Sequence, residues 1–367
     1  MAKQLTFSQR ATLFLGVCHF AIRLPWRLCT SFFTRERNKS WRQICTSVLV
    51  STAVTRRYRK GLPVPESIAN YTSWTAATGL EANVEELYNG AKLLWVGPKR
   101  LDRVMLYFHG GGYMLSAGRN TFSWLRHIQL ELEKRDVDLG IAIVAYNLLP
   151  NAVFPSQLRE ATDGFNHLIA ASVLPENIIL SGDSAGGNLA LQLLSHILHP
   201  MPSIAVARAT RLRGLLLISP FIGAKRTSEM PFSQLEALHK RDFLPAEFHR
   251  EVCLTFLKDV PEGDIAYADG LVAPDEWFEP LDETVGRILA TAGEWDFSEE
   301  NTRLFYEQRL KPLHRDVKLV VEKDAEHVSP ILDFVLKEEV KSVLTPLIVE
   351  WLADTFKARP VTKLDGL

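Results

Sequence analysis

One serine of this sequence stands where its hydroxyl can be made nucleophilic. Residues 178–189 read IILSGDSAGGNL: an apolar run typical of a strand, a G-x-S-x-G pentapeptide centred on Ser184, and the start of a helix. Gly182 and Gly186 would let a sharp strand-to-helix turn close and project the hydroxyl from the sheet edge, with Asp183 inside the turn. The helix N-terminus that follows favours developing negative charge. The pattern predicts a nucleophile at Ser184.

A serine at its ordinary pKa is a weak nucleophile and needs a base, which an acid must orient. With this type of turn the order along the chain is serine, then acid, then histidine. Asp296 follows the apolar run RILAT and His327 follows VKLVV, so each comes just past a predicted strand. Glu294, in the same loop as Asp296, is the alternative acid. The other late histidines fit worse by their positions: His196, His199, His249 and His314.

A second glycine-rich motif, His109-Gly110-Gly111-Gly112, directly follows the first strong apolar run. Three successive glycines cost backbone entropy, so the run indicates an unusual conformation or a close backbone approach. An oxyanion hole requires both, and the amides of Gly111, Gly112 and Ala185 are the predicted donors. A plain flexible loop is the other interpretation. A phosphate-binding loop is disfavoured because the sequence lacks its characteristic patterns.

These motifs need a scaffold, and from about residue 100 short apolar runs alternate with amphipathic stretches. This alternation predicts an α/β fold with a mostly parallel sheet covered by helices on both faces. Functional groups in such sheets gather at the carboxyl ends of the strands. The predicted strands span residues 103–108, 141–146, 177–180, 215–219, 287–291 and 317–321. Helices are predicted over residues 121–134, 157–171 and 189–198.

More than sixty residues without a clear strand separate the run ending near Pro220 from the run that starts at Arg287. This stretch is rich in Pro, Phe and Trp, and its place beside the predicted site favours a helical cap; a surface elaboration is the alternative. The predicted organisation has an N-terminal basic segment, two parts of a core and, between those parts, a cap insertion. Their bounds are 1–75 for the basic segment, 76–220 and 287–367 for the core, and 221–286 for the cap insertion.

The N-terminal segment differs chemically from the rest. The chain of 367 residues has a net charge of -1, which gives no overall attraction to nucleic acid, yet twelve Lys and Arg but only one acidic residue lie in residues 1–60. Residues 11–22 are apolar but too few to span a bilayer. Apolar spacing predicts an amphipathic helix that breaks near Pro25. Its apolar positions are Leu13, Val17, Ala21, Leu24 and Leu28.

This helix has two interpretations: it lies on an anionic membrane surface through residues 1–40, or it packs over the mouth of the site. An intracellular location is expected. The cysteines at 18, 29, 45 and 253 have neither zinc-site spacing nor the density of a disulfide scaffold. No metal is therefore expected.

The HGGG and GDSAGG motifs, the acid after a late strand and the histidine after the last one together resemble the hormone-sensitive lipase family of α/β-hydrolases. The likeness runs from about Leu101 to the C-terminus. It implies the α/β-hydrolase fold with a helical cap, carboxylesterase or short-chain lipase activity without a cofactor, and oxyanion donors from the HGGG glycines. This sequence departs from the family pattern in two places: Asn147 and Asn151 replace the usual basic and acidic residues, and Phe297-Ser298 replaces Pro-Leu.

The motifs and the aromatic cap insertion predict hydrolysis of a hydrophobic, short-acyl ester through an acyl-enzyme. The resemblance implies the acetate of a sterol or of a secondary metabolite as examples, and a location in the cytoplasm or at the endoplasmic-reticulum membrane. Its partner would be a small-molecule ester. Three alternatives stay open: an amidase or deformylase with the same triad, an acyltransferase that excludes water, and a catalytically silent ligand receptor.

Overall fold

The computed structural model describes residues 6–31, 33–34, 36, 39–60, 66–207, 211–336, 340 and 342–357. One eight-stranded sheet organises them, in the order β1-β2-β4-β3-β5-β6-β7-β8. The strands are β1 (Val84–Glu86), β2 (Lys92–Trp95), β3 (Val104–Phe108), β4 (Gly140–Ala145), β5 (Ile178–Asp183), β6 (Gly214–Ile218), β7 (Ile288–Gly293) and β8 (Val317–Glu322).

Fourteen α-helices occur in the described residues. They are α1 (Phe7–Ser31), α2 (Trp41–Lys60), α3 (Ser67–Thr78), α4 (Arg119–Glu133), α5 (Ser156–Ala170), α6 (Ala185–Leu198), α7 (Ala224–Glu229), α8 (Phe232–His239), α9 (Ala246–Leu257), α10 (Ile265–Ala268), α11 (Leu281–Thr284), α12 (Glu299–Phe305), α13 (Ser329–Leu332) and α14 (Leu344–Lys357).

Strands β3 to β8 pair in parallel, whereas β1 and β2 add an antiparallel edge beside β4. The predicted α/β class and mostly parallel sheet are confirmed, and all six predicted strands are present with ends shifted by a few residues. Strands β1 and β2 were not predicted. They have only three and four residues, too few for a periodic pattern, and they form because β4 offers a free edge.

The parallel strands are buried on both faces, which explains their continuous apolar sequences. Along β3 the side chains alternate: Leu106 joins one core layer with Leu189 of α6, while Met105 joins the other with Trp124 of α4. Each fully buried Leu or Met side chain stabilises the fold by about 1.5–3 kcal/mol. The two layers hold the strands rigidly, so the loops at their carboxyl ends have fixed starting points.

Within the N-terminal segment, helices α1 and α2 pack on each other. Helix α1 continues through Pro25, so the predicted break there is wrong. Pro25 lies on the exposed side of α1, where its ring does not enter the contact with α2. An interior proline costs a helix about 3 kcal/mol. Helix α1 contacts α2 and has buried positions both before Pro25, at Gly16, and after it, at Ser31, and this packing offsets the cost. The first five residues of the predicted segment lie outside the described residues.

Helix α2 lies against α9 of the cap insertion, so both segments cover the carboxyl edge of the sheet. The described part of the cap insertion is built from the short helices α7 to α11, with the 3-10 turns Glu262–Asp264 and Asp275–Phe278. The divisions of the chain after residues 75, 220 and 286 stay a prediction.

Candidate active site

Ser184 lies at the turn between β5 and α6, with φ 51° and ψ -118°. A residue with a β-carbon is strained in this conformation and keeps it only when its surroundings hold it. The Ser184 amide donates to the Ile218 carbonyl at 2.9 Å, and its carbonyl accepts from the Phe221 and Asn188 amides at 2.8 and 3.1 Å. Hydrogen bonds from β6, from the loop that follows it and from α6 thus hold the turn.

The two outer glycines of G-x-S-x-G are needed because backbones meet at this turn. A β-carbon on Gly182 would overlap the backbone of Gly186, and one on Gly186 would overlap the carbonyl of Phe108 at the end of β3. The start of α6 therefore crosses β3 and β5 in direct backbone contact, and this fixes where the Ser184 side chain leaves the sheet.

Asp296 and His327 follow β7 and β8 by three and five residues and meet at the same edge. His327 Nδ1 donates to Asp296 Oδ1 at 2.9 Å, and both residues are buried. The backbone N–H and the hydroxyl of Ser298 donate to the same oxygen, each at 2.8 Å. The alternative acid, Glu294, is exposed and accepts instead from the Asp324 amide at 3.0 Å. The geometry favours Asp296 over Glu294.

The remaining nitrogen of His327, Nε2, is buried and has no hydrogen-bond partner among the described residues. Both His327 and Ser184 line one cavity of about 390 Å³ at the carboxyl edge of the sheet. The predicted nucleophile, base and acid are thus brought together at one site. The Ser184 hydroxyl does not lie within hydrogen-bond distance of His327 Nε2. Nucleophile-to-base distances are often too long for a hydrogen bond until a substrate binds.

Electrostatics favour an imidazolium paired with a carboxylate. Burial opposes charge on Asp296, but the charge of His327 and the hydrogen bond from it outweigh burial and lower the pKa of Asp296. Burial likewise lowers the pKa of His327, yet the charge of Asp296 and their hydrogen bond, with Asp242 and Asp183, leave that pKa raised. This environment strengthens His327 as a base.

The HGGG loop has the unusual backbone that its glycines predicted. Gly111 and Gly112 have φ values of 116° and 61°, a region where side-chain-bearing residues are strained, and both line the cavity. A β-carbon on Gly112 would press against Val252 of α9. Neither glycine amide donates to an acceptor among the described residues. Ala185 is the first residue of α6 and is fully buried.

Buried polar groups fix the HGGG loop to the turn that carries Ser184. Asp183 Oδ1 accepts from the Tyr107 hydroxyl at 2.6 Å and from the Gly110 amide at 2.9 Å, and burial raises the pKa of Asp183. The Tyr146 hydroxyl donates to the His109 carbonyl at 2.6 Å, and the two rings stack 4.2 Å apart. Burial lowers the pKa of His109 to about 4, so this neutral ring organises the loop.

Asp242, in the cap insertion, was not among the predicted residues. Its Oδ2 accepts from the Phe297 and His327 backbone N–H groups at 3.1 and 3.3 Å, and its Oδ1 accepts from the Leu244 amide at 3.2 Å. Burial raises the pKa of Asp242 to about 7. A proline at position 297, which is usual in the family pattern, would have no N–H to donate. The replacement of that proline by Phe297 is therefore the sequence feature that could have pointed to a hydrogen bond here.

Glu326, beside His327, was also missed. It is buried, accepts a hydrogen bond from the Ser47 hydroxyl, and pairs with Lys39 Nζ at 3.0 Å and Arg27 Nη2 at 3.3 Å. This cluster ties the N-terminal helices to the loop of the predicted base. No sequence signal could have found it, because its partners lie almost 300 residues away in the chain.

Asp242, Asp296 and His327 also place potential metal-ligand atoms within 4.8 Å of one another. Their hydrogen bonds explain this closeness without a metal. His327 Nδ1 is bonded to Asp296, and the carboxyl oxygens of Asp242 accept from backbone N–H groups. The arrangement therefore has the form of an oriented acid-base pair, and the expectation of no metal stays a prediction.

A family model described as the alpha/beta hydrolase fold matches residues 105–330, more than half of the chain. Tuliposide A-converting enzyme b2 of Tulipa gesneriana is 28% identical over 251 residues, 65% of this chain and 60% of its own length. Esterase LipU of Mycobacterium tuberculosis is 37% identical over 95 residues, 26% of this chain and 30% of its own length. The match therefore spans less than two thirds of these curated relatives.

Solved structures give the same result for the fold. An esterase from the bacterial hormone-sensitive lipase family superposes with a TM-score of 0.61 and 21% identity, over 84% of this chain and 98% of that one. The α/β-hydrolase fold that the motif resemblance implies is confirmed. With its central 226 residues matched and its sheet, turn and cap in the expected order, this chain belongs to the α/β-hydrolase family.

Proposed function

We propose that this protein is a serine hydrolase that cleaves carboxylic esters, with Ser184 as nucleophile, His327 as general base and Asp296 as the orienting acid. One observation carries the proposal. The bond from His327 Nδ1 to Asp296 leaves the buried Nε2 atom unpaired among the described residues, and His327 lines the cavity that also holds Ser184. The names of the relatives, which include esterases and an acetyl-hydrolase, agree with this chemistry.

In the proposed reaction His327 Nε2 takes the hydroxyl proton of Ser184 while Oγ attacks the ester carbonyl carbon. The amides of Gly111, Gly112 and Ala185 stabilise the oxyanion of the tetrahedral intermediate. His327 then returns the proton to the leaving alcohol, and the intermediate collapses to an acyl-enzyme. Water adds to the acyl-enzyme by the same route, with His327 as base, and the carboxylic acid is released.

The cavity supports a hydrophobic ester with a short acyl group as substrate. Its volume of about 390 Å³ lies at the small end of the range for ligand sites. Its apolar wall comes from α2, the cap insertion and the loop after β6, with Val50, Val54, Phe221, Phe243, Phe248 and Val252 as the main residues. An acetate or butyrate of a bulky apolar alcohol fits this environment, and the name of a related acetyl-hydrolase from Streptomyces hygroscopicus agrees with a short acyl group.

The test is hydrolysis of p-nitrophenyl acetate, butyrate, octanoate and laurate by the purified protein and its Ser184→Ala variant. We expect turnover by the wild type, fastest on the short acyl chains, and a loss of at least about 1000-fold in the variant. Paired ester and amide substrates would expose an amidase, and an added alcohol acceptor would expose an acyltransferase. Failure of a fluorophosphonate to label Ser184 would contradict the serine hydrolase proposal and favour a ligand receptor.

We further propose that the outer face of α1 lies on an anionic membrane surface. Among the described residues, more than half of the exposed large apolar side chains fall between residues 13 and 49. The buried positions of α1 in the described part of the chain are Thr12, Gly16 and Ser31, which are small or polar. The face turned away from the protein is apolar, with Phe14 68%, Val17 66%, Ile22 75% and Trp26 72% exposed.

Charge and position support the same partner. Residues 1–60 carry a net charge of +11, which favours an anionic lipid surface over a neutral one. No helix in the described ranges has both the length and the hydrophobicity to cross a bilayer. Leu49 of α2 is 39% exposed and also lines the cavity, so the mouth of the cavity opens beside the N-terminal helices. A lipid-soluble ester could therefore enter from the bilayer.

Vesicle flotation tests this second proposal. The wild type should float with phosphatidylcholine vesicles that contain phosphatidylserine, and less with phosphatidylcholine alone. The double variant Phe14→Glu/Ile22→Glu should stay in solution yet hydrolyse p-nitrophenyl acetate normally. Its matched control is Leu174→Glu/Val206→Glu, which changes two side chains that are each 54% exposed elsewhere. A wild-type dimer that becomes a monomer in the α1 variant, without flotation, would instead assign this face to a second copy.

A further inference from the structure

Two histidines of the cap insertion form a buried hydrogen-bonded pair beside the cavity. His239 ends α8 and His249 lies in α9. His239 Nδ1 lies 2.7 Å from the Leu244 carbonyl oxygen, and His239 Nε2 lies 2.9 Å from His249 Nδ1. The two residues are 7% and 6% exposed, so this pair is shielded from bulk water. The proposed reaction uses neither ring.

The chain of hydrogen bonds determines which nitrogens carry protons. A carbonyl oxygen can only accept, so the Nδ1 atom of His239 carries the hydrogen that is donated to Leu244. A neutral imidazole has one N–H, so His239 Nε2 must accept, and the hydrogen between the rings belongs to His249 Nδ1. His249 Nε2 therefore has a free lone pair and no hydrogen.

The environment keeps both rings neutral. Burial lowers the pKa of His239 to about 4. Burial also lowers the pKa of His249 well below its ordinary value, and the charges of His239 and His327 lower it further. At such pKa values neither ring binds a second proton near neutral pH, so His249 is a weak base. Its lone pair is suited to accepting a hydrogen bond rather than a proton.

The His249 lone pair lies close to the proposed triad. His249 lines the cavity, whereas His239 does not, and Nε2 lies on the edge of the His249 ring that faces away from His239. Ring centroids place His249 4.2 Å from Phe297 and 5.8 Å from Phe221. Phe297 follows Asp296 in the chain, and the Phe221 backbone N–H donates a hydrogen bond to the Ser184 carbonyl. One layer of side chains thus separates His249 from these residues.

His249 Nε2 has no hydrogen-bond partner among the described residues. Its neighbours in this wall are apolar: Phe221, Phe248, Val252 and Phe297. A buried acceptor without a partner is unfavourable, and a ligand group that donates to it removes that penalty. Sites built with such a polar group discriminate strongly against analogues that lack the matching group.

We propose that His249 Nε2 is a specificity-determining acceptor for a hydroxyl or N–H group on the substrate, held in the required tautomer by His239. This inference rests on the proposed ester hydrolysis and deepens it. The preferred substrate is then an ester that is mostly apolar but has one hydrogen-bond donor near the scissile bond, as in a hydroxyacyl ester or the monoester of a diol.

Two isosteric substrate pairs test the inference. On the acyl side, p-nitrophenyl 3-hydroxybutyrate is compared with p-nitrophenyl 3-methylbutyrate, which has a methyl group in place of the hydroxyl. On the alcohol side, 2-hydroxyethyl butyrate is compared with propyl butyrate. In at least one pair the wild type should favour the hydroxyl member in kcat/KM by about 10-fold.

Two variants show whether this preference comes from the histidine pair. His249→Phe removes the acceptor but keeps an aromatic ring against Phe297, and should bring the ratio close to one while the apolar substrate is still hydrolysed. His239→Leu lies outside the cavity wall and releases the tautomer of His249, so it should weaken the preference as well. The control is His199→Phe. The His199 ring hydrogen-bonds to the Trp277 carbonyl and does not line the cavity, so this variant should leave the ratio unchanged.

Binding and spectroscopy separate a failure of this inference from a failure of the hydrolase proposal. Binding of both substrate pairs to the Ser184→Ala variant, measured by calorimetry, gives the preference without turnover. Long-range 1H–15N spectra of histidine-labelled protein give the tautomer directly, with His249 protonated at Nδ1 alone. Equal affinity within both pairs, or an Nε2–H tautomer of His249, would overturn the inference even if all four esters are hydrolysed.

Discussion

Asp242 and His327 lie 85 residues apart in the chain, and a carboxyl oxygen of Asp242 accepts a hydrogen bond from the His327 backbone N–H at 3.3 Å. The same oxygen accepts from the Phe297 N–H at 3.1 Å. One side chain of the cap insertion thus holds the loop of the proposed acid and the loop of the proposed base. A displacement of the cap insertion would therefore change the geometry of Asp296 and His327.

Replacing Asp242→Asn should shift the pH dependence of hydrolysis. His327 must be neutral to act as base, so kcat/KM falls as pH drops through its pKa, which is raised above the ordinary value partly by the charge of Asp242. Removing that charge lowers the pKa of His327 and moves the acid limb of the kcat/KM profile to lower pH. The control is Asp259→Asn, an exposed carboxyl in the same cap insertion. Coincident profiles for wild type and Asp242→Asn would count against this coupling.

Replacing Asp296→Asn should lower kcat by about 10,000-fold. The amide cannot supply the charge that raises the pKa of His327, and its NH₂ group can force the wrong tautomer of the ring. Glu294→Gln, two residues earlier, is the matched control and should retain nearly full activity because Glu294 is exposed. Steady-state kinetics on p-nitrophenyl butyrate decide between the two acids, and the reverse pattern would assign the role to Glu294.

Replacing Glu326→Gln should destabilise the protein by about 2–4 kcal/mol, because Arg27 and Lys39 would lose a buried opposite charge. Chemical denaturation gives the free energy of unfolding, and limited proteolysis should show faster cleavage within the N-terminal helices. Glu300→Gln is the control. Its ion pair with Arg226 is exposed, so the expected change is below about 0.5 kcal/mol. Equal stability of both variants would mean that the buried cluster does not anchor these helices.

Replacing Gly186→Ala should cost at least about 3 kcal/mol, or prevent folding, since its β-carbon would overlap the Phe108 carbonyl. The matched change, Gly263→Ala, meets no atom within 4 Å and should alter stability by less than about 1 kcal/mol. Soluble yield and thermal denaturation of the two variants measure the difference. A folded, fully active Gly186→Ala protein would contradict the close crossing of α6 over β3.

Local chemistry in the sequence was enough to predict most of the sheet and to select the candidate site. Each parallel strand is buried on both faces, so it appears as a continuous apolar run that needs no knowledge of its neighbours. The turn at Ser184 and the loop at Gly111 need glycines because of their backbone conformations and close contacts. Glycine is recognised directly in the amino-acid sequence. The predicted positions of Asp296 and His327 follow from strand ends, which parallel pairing brings to one edge.

Only the tertiary structure decided the rest. Asp242 and Glu326 are ordinary acidic residues in the sequence, and their positions depend on cap and N-terminal helices that fold onto the edge from distant parts of the chain. The apolar positions of α1 do not by themselves show which of them face the protein: in the structure Leu24 and Leu28 are half-buried, whereas Phe14 and Ile22 stay exposed. The tautomer of His249 required a bond to His239, because a proton position depends on the partner and not on the residue type.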